Sequence, residues 1–385
     1  MRILYDHQIF DMQRFGGISR YFCSLIRHLQ DATDVALSLP VRFSDNRHLS
    51  EAGVSVTSAT RDFDAFLLGA SFRGKWRLYQ LLNLLSPLRD PARANRLGQI
   101  RSLKRGEFDV FHPTYYDGYF LRSLGPRPFV VTVYDMIHER FPQLFHKKDR
   151  TAAQKLELVN RAAHVICISE ATRRDLIDIL GTPASKISVV HLGPPAGVNL
   201  PRKPLAQLPG DYFLYVGTRW PYKNFPFLLE AVRPLLLGRD RLRLVCVGRP
   251  FDEHETGLLQ RHGLLSRVEA NQVPEDQLAD LYRGAVCHII PSLYEGFGLT
   301  VLEAFAYDCP VACSNSGSLP EVAGDAASYF DPTDLRDARR AIERIVEDSK
   351  FAAALRLAGR RRTEQFSWLA TAQATLEVYR RVALS

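Results

Sequence analysis

The sequence predicts an α/β chain built as two doubly wound domains facing each other across a cleft. Short apolar runs alternate with helical patterns along the whole chain, the pattern of parallel sheets covered by helices. The 385 residues exceed the size at which one core stops growing. Residues 193–210, GPPAGVNLPRKPLAQLPG, are rich in proline and glycine and lack periodicity, so they read as a connection between halves. The expected division is a first domain at 1–195, a linker at 196–210, a second domain at 211–367 and a closing helix at 368–385.

Strands of the first half are expected at 2–5, 35–39, 54–57, 109–112, 129–134, 164–168 and 187–191. Those of the second half are expected at 212–216, 243–247, 268–270, 286–290, 311–314 and 328–330. Helices are expected to start near Ile18, Phe225 and Leu299. Ligands of such sheets bind outside the carboxyl ends of the strands, so the loops after these strands are where chemistry is sought.

Composition narrows the class. With 46% apolar and 24% charged residues the chain reads as an ordinary folded protein. No apolar run reaches the length of a membrane span, and the N-terminal MRILYD meets an acid at Asp6 before a signal-type apolar region forms, so a cytoplasmic setting is expected. Six cysteines without paired metal spacing read as reduced core residues. The net charge of +8 lies wholly in residues 1–200, which hold 27 Lys and Arg against 19 Asp and Glu, whereas the remainder holds 23 of each. The excess is densest over 61–105, where basic residues interleave with large apolar ones such as Phe66, Trp76 and Leu85. That mixture suits either a solvated helical surface or a peripheral contact with an anionic membrane face. No recognised motif for nucleic acid accompanies the charge.

The most telling segment is SLYEGFGLTVLEAFAYD, residues 292–308. An apolar run ends at Glu295, Gly296 and Gly298 allow a sharp turn, and the spacing of Leu299, Leu302, Glu303 and Ala306 reads as a helix. A strand, a turn and a helix start leave unpaired N–H groups on Phe297, Gly298, Leu299 and Thr300, which favour an anion such as a diphosphate. Glu303 then lies about one turn inside, where its carboxylate can accept hydrogen bonds from a ribose. After the run ending at Val216, Arg219 and Lys223 stand four residues apart and could both face one diphosphate. Near the N-terminus, Gly16-Gly17 opens a helix and lets backbone approach a ligand closely. His112, Tyr115 and Tyr116 follow a first-half strand and are expected to line the cleft, with aromatic faces for a sugar. The Asp62-Phe63-Asp64 triplet lacks the strand-end context of a metal site.

The segment from Glu295 to Glu303 resembles the E-x7-E signature of the retaining GT-B glycosyltransferases of family GT4, and the Arg219–Lys223-Asn224 and Gly16-Gly17 elements match at corresponding places, so the resemblance covers essentially the whole chain. It implies that Glu295 contacts hydroxyls of a donor sugar, that the amides from Phe297 to Thr300 hold the diphosphate, and that Glu303 holds the ribose. Arg219 and Lys223 would stabilise the leaving group, with Gly16 and Gly17 beside it. Glu295, Asp135, Lys223 and Arg219 are the residues expected to carry the chemistry. The implied reaction moves a hexose from a nucleotide diphosphate sugar to a sugar acceptor, expected to be lipid-linked, in bacterial surface polysaccharide assembly, without metal or other cofactor. One departure stands out: a His-Asp pair is common in the family, and here the segment reads Tyr134-Asp135, with His138 one turn on. The acceptor is expected against His112, Tyr115, Tyr134 and His138. Two alternatives share the fold, a sugar-nucleotide epimerase and a degenerate transferase acting as an assembly partner. The resemblance also implies that the last helix, 368–383, crosses back onto the first domain.

Overall fold

A computed structural model describes residues 1–32, 34–58, 74, 91–195 and 210–384. Linker residues 196–209, most of the basic stretch and the Asp62-Phe63-Asp64 triplet lie outside the described residues.

The first half carries β1 (Arg2–Tyr5), β2 (Ala36–Ser38), β3 (Val110–His112), β4 (Val130–Val133), β5 (His164–Cys167) and β6 (Ile187–Val189). They form two parallel three-stranded ladders, ordered β2-β1-β3 and β4-β5-β6, joined through an isolated parallel bridge between Phe111 and Phe129. Residues 54–57, expected as a further strand, form only an isolated bridge from Thr57 to Phe43. Ser55 and Thr57 are exposed and Val54 and Val56 only half-buried, so among the described residues no second layer covers the segment.

The second half holds β7 (Tyr212–Val216), β8 (Arg243–Val247), β9 (Val268–Asn271), β10 (Cys287–Ile290), β11 (Val311–Ser314) and β12 (Ala327–Phe330). Its strand order, β9-β8-β7-β10-β11-β12, is parallel throughout. Numbered within the half this is 3-2-1-4-5-6, whose direction of winding reverses between β7 and β10. Phe213 is level with Cys287 and Leu214 with His288, so the loops after β7 and β10 open side by side at that reversal.

Strands buried on both faces need apolar cover from helices. On one face Phe213, Leu244, Cys246 and Ala312 pack with the helices Phe225–Gly238 and Leu335–Glu347. The other face joins a core that continues through Phe297 and Trp368 into the first half. The helix Trp368–Ala383 lies against the first half, where Tyr379 Oη sits 2.6 Å from His112 Nδ1 and 3.1 Å from Tyr5 Oη. At its start the Trp368 indole N–H donates to the Pro194 carbonyl.

Candidate active site

At the reversal between β7 and β10 the Leu293 N–H donates to the Tyr222 carbonyl at 2.8 Å, tying the two loops together. That contact sets Lys223 beside Glu295. The Lys223 ammonium donates to both Glu295 carboxylate oxygens, at 2.6 and 2.9 Å. The Ser292 hydroxyl also donates to Glu295 Oε1, at 2.6 Å. From the loop after β11, the Ser318 N–H and hydroxyl donate to the Glu295 carbonyl. Two charge-assisted bonds and a fixed backbone leave the carboxylate with one orientation.

The turn that follows takes the expected shape. Gly298 has φ 96°, ψ 49° and precedes the helix Leu299–Ala306 with no side-chain cap. Among the described residues no acceptor takes the N–H groups of Gly298, Leu299 or Thr300, so this helix start offers unpaired donors and the positive end of the helix dipole. A Cβ on Gly296 would stand 1.9 Å from the Tyr134 carbonyl oxygen and 2.9 Å from Asp135 Cβ. First-half backbone therefore touches the glutamate turn, and only a glycine permits it. Gly17 makes the matching approach, its notional Cβ 3.5 Å from Leu299 Cδ1. The neighbouring helix start, Gly17–Leu29, is less open than expected because Gln13 Oε1 accepts the Ser19 N–H.

Glu303 is buried one turn into the helix Leu299–Ala306, and both its oxygens have partners. The Arg20 guanidinium donates to Oε1 at 2.5 Å and the Tyr282 hydroxyl to Oε2 at 2.9 Å. On the first-half side, the Asp135 carboxylate accepts the Ile137 N–H at 3.0 Å. Beneath it the buried Lys155 donates to the Asp135 carbonyl and to Glu139, at 2.8 and 2.9 Å. Burial raises the Tyr222 hydroxyl pKa, and the nearby Glu295, Asp135 and Tyr115 raise it further. The Tyr115 pKa goes up to about 12, through burial and then Asp135 and Asp149. Tyr222, Glu295, Asp135 and Tyr115 thus share one neighbourhood, with groups from both halves.

Four expected residues sit elsewhere or are differently engaged. Arg219 is engaged inside the second half: its side chain has 0% exposure, its Nε donates to Glu255 Oε1 at 2.8 Å and its Nη2 to the Arg249 and Pro250 carbonyls. Its guanidinium packs on the rings of Phe251 and Phe225, and among the described residues its buried Nη1 has no partner. Glu255 is held there because it also closes a capping box with Asp252 at the start of the helix Glu253–His262. His112 belongs to the core, since the last residue of a doubly covered strand lies under the closing helix. Both its ring nitrogens are engaged, Nε2 with Thr132 at 2.9 Å, and burial lowers its pKa to about 3. The Tyr134 hydroxyl donates to the Thr114 carbonyl at 3.0 Å and is not free for a sugar. His138 stacks on Phe145 and faces Asp149 at 3.6 Å; burial, then Lys155, lowers its pKa.

Sequence reasoning overlooked Arg20, Lys155, Tyr282, Ser292 and Ser318. Ser292 carried a usable signal as the residue closing the apolar run before Glu295. Arg20, three residues after the glycine pair, carried one as well, since a first-turn side chain lies close to whatever that turn approaches.

Comparison with known proteins agrees with this geometry. The chain matches the family described as Glycosyl transferases group 1 over residues 199–362 and Glycosyltransferase Family 4 over residues 46–194. It is 31% identical to O-antigen chain mannosyltransferase B of Escherichia coli, over 65% of this chain and 70% of that protein. Its fold is similar to sucrose-phosphate synthase from Thermosynechococcus elongatus, with TM-score 0.70 and 21% identity over 100% of both chains. It is likewise similar to HepE of Anabaena solved with UDP and glucose, with TM-score 0.71 and 18% identity over 98% and 99% of the two chains. A reversal-point glutamate turn, a lysine beside it and these matches together place the chain in glycosyltransferase family 4, the group 1 transferases of GT-B architecture.

Proposed function

We propose that this chain transfers a hexose from a nucleotide diphosphate sugar to a sugar acceptor with retention at the anomeric carbon. The observation that carries the reading is the Lys223–Glu295 pair beside the uncapped start of the helix Leu299–Ala306. A diphosphate seated on the N–H groups of Gly298, Leu299 and Thr300 would meet the Lys223 ammonium, which would leave Glu295 to take it. Glu295, released from the ion pair, would accept hydrogen bonds from the donor sugar, and Glu303 from the ribose. Charge that builds on the departing diphosphate is then stabilised by preorganised donors in a closed cleft, a contribution of several kcal/mol. The same donors supply positive charge without a cation, so the reaction is expected to need no metal. The acceptor would approach from Asp135 and Tyr115, with His112 and Tyr134 acting beneath the surface as scaffold.

The acceptor we infer is lipid-linked and the product a bacterial surface polysaccharide, in keeping with the O-antigen relative. The setting we infer is the cytoplasmic face of the membrane. Among the described residues no helix is long and apolar enough to cross a bilayer, and contact would fall to the basic stretch 61–105. A panel of nucleotide sugars tested by thermal shift and slow donor hydrolysis, with and without chelator, checks the donor reading. One donor should stabilise the protein and be turned over in chelator. Lys223→Ala should lower that turnover by about a hundredfold or more with an unchanged melting temperature. Near-normal turnover in this variant, or loss of activity on chelation, contradicts the mechanism. The anomeric configuration of the product, read by NMR, decides retention.

A further inference from the structure

The carboxylate of Glu303 is held from the opposite half of the molecule. Arg20 lies in the first turn of the helix Gly17–Leu29, three residues after the glycine pair, and its Nη1 meets Glu303 Oε1 at 2.5 Å. The Tyr282 hydroxyl occupies the other oxygen at 2.9 Å. Exposure of the Arg20 side chain is 20% and of Glu303 8%, so the bond is little screened. A carboxylate offers about four lone-pair sites. Among the described residues one is taken at each oxygen, which leaves two, the number that a ribose with vicinal hydroxyls would use. A Cβ added to Gly17 would stand 3.5 Å from Leu299 Cδ1, so the first turn of one helix lies near the first turn of the other.

We propose that Arg20 is a positioning residue for nucleotide recognition: it fixes the Glu303 carboxylate so that its free lone pairs face the ribose hydroxyls. The contact makes recognition of the ribose depend on the first half, although the ribose-binding carboxylate belongs to the second. This rests on the ribose reading of Glu303 given above. A guanidinium suits the task because its donors are rigid, whereas a lysine would supply charge with less directional control.

The test measures dissociation constants for UDP and GDP, each in the ribo and the 2′,3′-dideoxy form, by calorimetry on the wild-type chain, Arg20→Met and Arg20→Lys. Wild type should bind the better ribonucleotide at least about tenfold more tightly than its dideoxy analogue, as expected for hydrogen bonds to a charged group. Arg20→Met should weaken the ribonucleotide about tenfold, leave the dideoxy analogue unchanged and so lose the discrimination. Arg20→Lys should recover part of it. A merely structural role for Arg20 would weaken both forms alike, and that result overturns the proposal. Tighter ribonucleotide binding in Arg20→Met would mean that Arg20 competes for Glu303, and overturns it as well. Wild-type binding that ignores the ribose hydroxyls, or binding of neither nucleotide, refutes the ribose reading itself. Discrimination in wild type that persists intact in Arg20→Met refutes only the role of Arg20. Circular dichroism and melting curves for each variant identify any loss of fold, and Arg20→Lys, which keeps the charge, then carries the comparison.

Discussion

Two basic side chains four residues apart, Arg219 and Lys223, look equivalent in sequence and are put to different uses. Lys223 leaves a short 3-10 turn, Pro221–Lys223, at the reversal point and keeps a flexible stem on Glu295. Arg219 lies four residues nearer the strand, where the rings of Phe225 and Phe251 and the carboxylate of Glu255 enclose it. Arg219→Met should therefore act on stability first. Removing one partner of a buried pair leaves a charge uncompensated, a loss of about 3–5 kcal/mol. Because Arg249 also donates to Glu255 at 2.8 Å, the lower end of that range is expected. Urea unfolding measures it, and the double variant with Glu255→Met should recover most of the loss. An Arg219→Met protein of wild-type stability would return the arginine to the ligand space.

At the scale of elements, the glutamate turn and the segment after β4 are in backbone contact. The Tyr134 carbonyl occupies the space where any side chain at 296 would begin, and Lys155 anchors the adjoining Asp135 carbonyl from below. Gly296→Ala must therefore push the turn away from that segment by more than an ångström. Displacements of that size at reacting groups cost on the order of a hundredfold in rate. Turnover should fall accordingly, while circular dichroism stays unchanged because the substitution breaks no strand or helix. A Gly296→Ala variant with wild-type kcat would show that this contact is not present during turnover. The loop after β11 is a second brace, since Gly317, at φ 60°, runs 2.8 Å from the Glu295 carbonyl if given a Cβ.

Across the whole molecule, polar contacts tie the halves together. Glu321 accepts the Glu170 and Ala171 N–H groups and meets His191 Nε2 at 2.7 Å. The Tyr294 hydroxyl donates to Asp175 at 2.6 Å. Deeper in, burial lowers the pKa of His112 to about 3 and of His288 to about 4. Both values are below that of an unfolded histidine, so the native state resists protonation that the unfolded chain accepts. Stability is then complete above about pH 6.5 and falls as pH drops toward 4. Each of the two contributes a slope of about 1.4 kcal/mol per pH unit inside its window. Melting temperature measured from pH 8 to 4.5 should be flat at first and then decline below about 6.5. A profile flat to pH 5 would contradict the neutral buried imidazoles.

Much of this was legible in the chain itself. Parallel strands covered on both faces read as continuous apolar runs, so nearly every strand was placed within a residue or two, and 54–57 failed because among the described residues it pairs only through one bridge and is not covered. The Glu295–Glu303 segment was legible for the same local reason: a strand end, two glycines and a helix start define their own backbone and the donors it exposes. Orientation of side chains across the cleft was not legible. Whether His112 and Tyr134 face a ligand or the core depends on the helix Trp368–Ala383 and on Thr114, which are remote from them in sequence or hidden by the turn between. The partners of Arg219 and Glu303, Glu255 and Arg20, lie 36 and 283 residues away. Periodicity and spacing act over one or two turns of chain, and such pairings arise only when packed sheets bring distant loops to the same edge. The sequence by itself determined the strands, the glutamate turn and its unpaired amides; the tertiary structure alone decided which charges meet there, because Lys223 reaches Glu295 only through the packing of the second-half sheet and Arg20 reaches Glu303 only where the two halves meet.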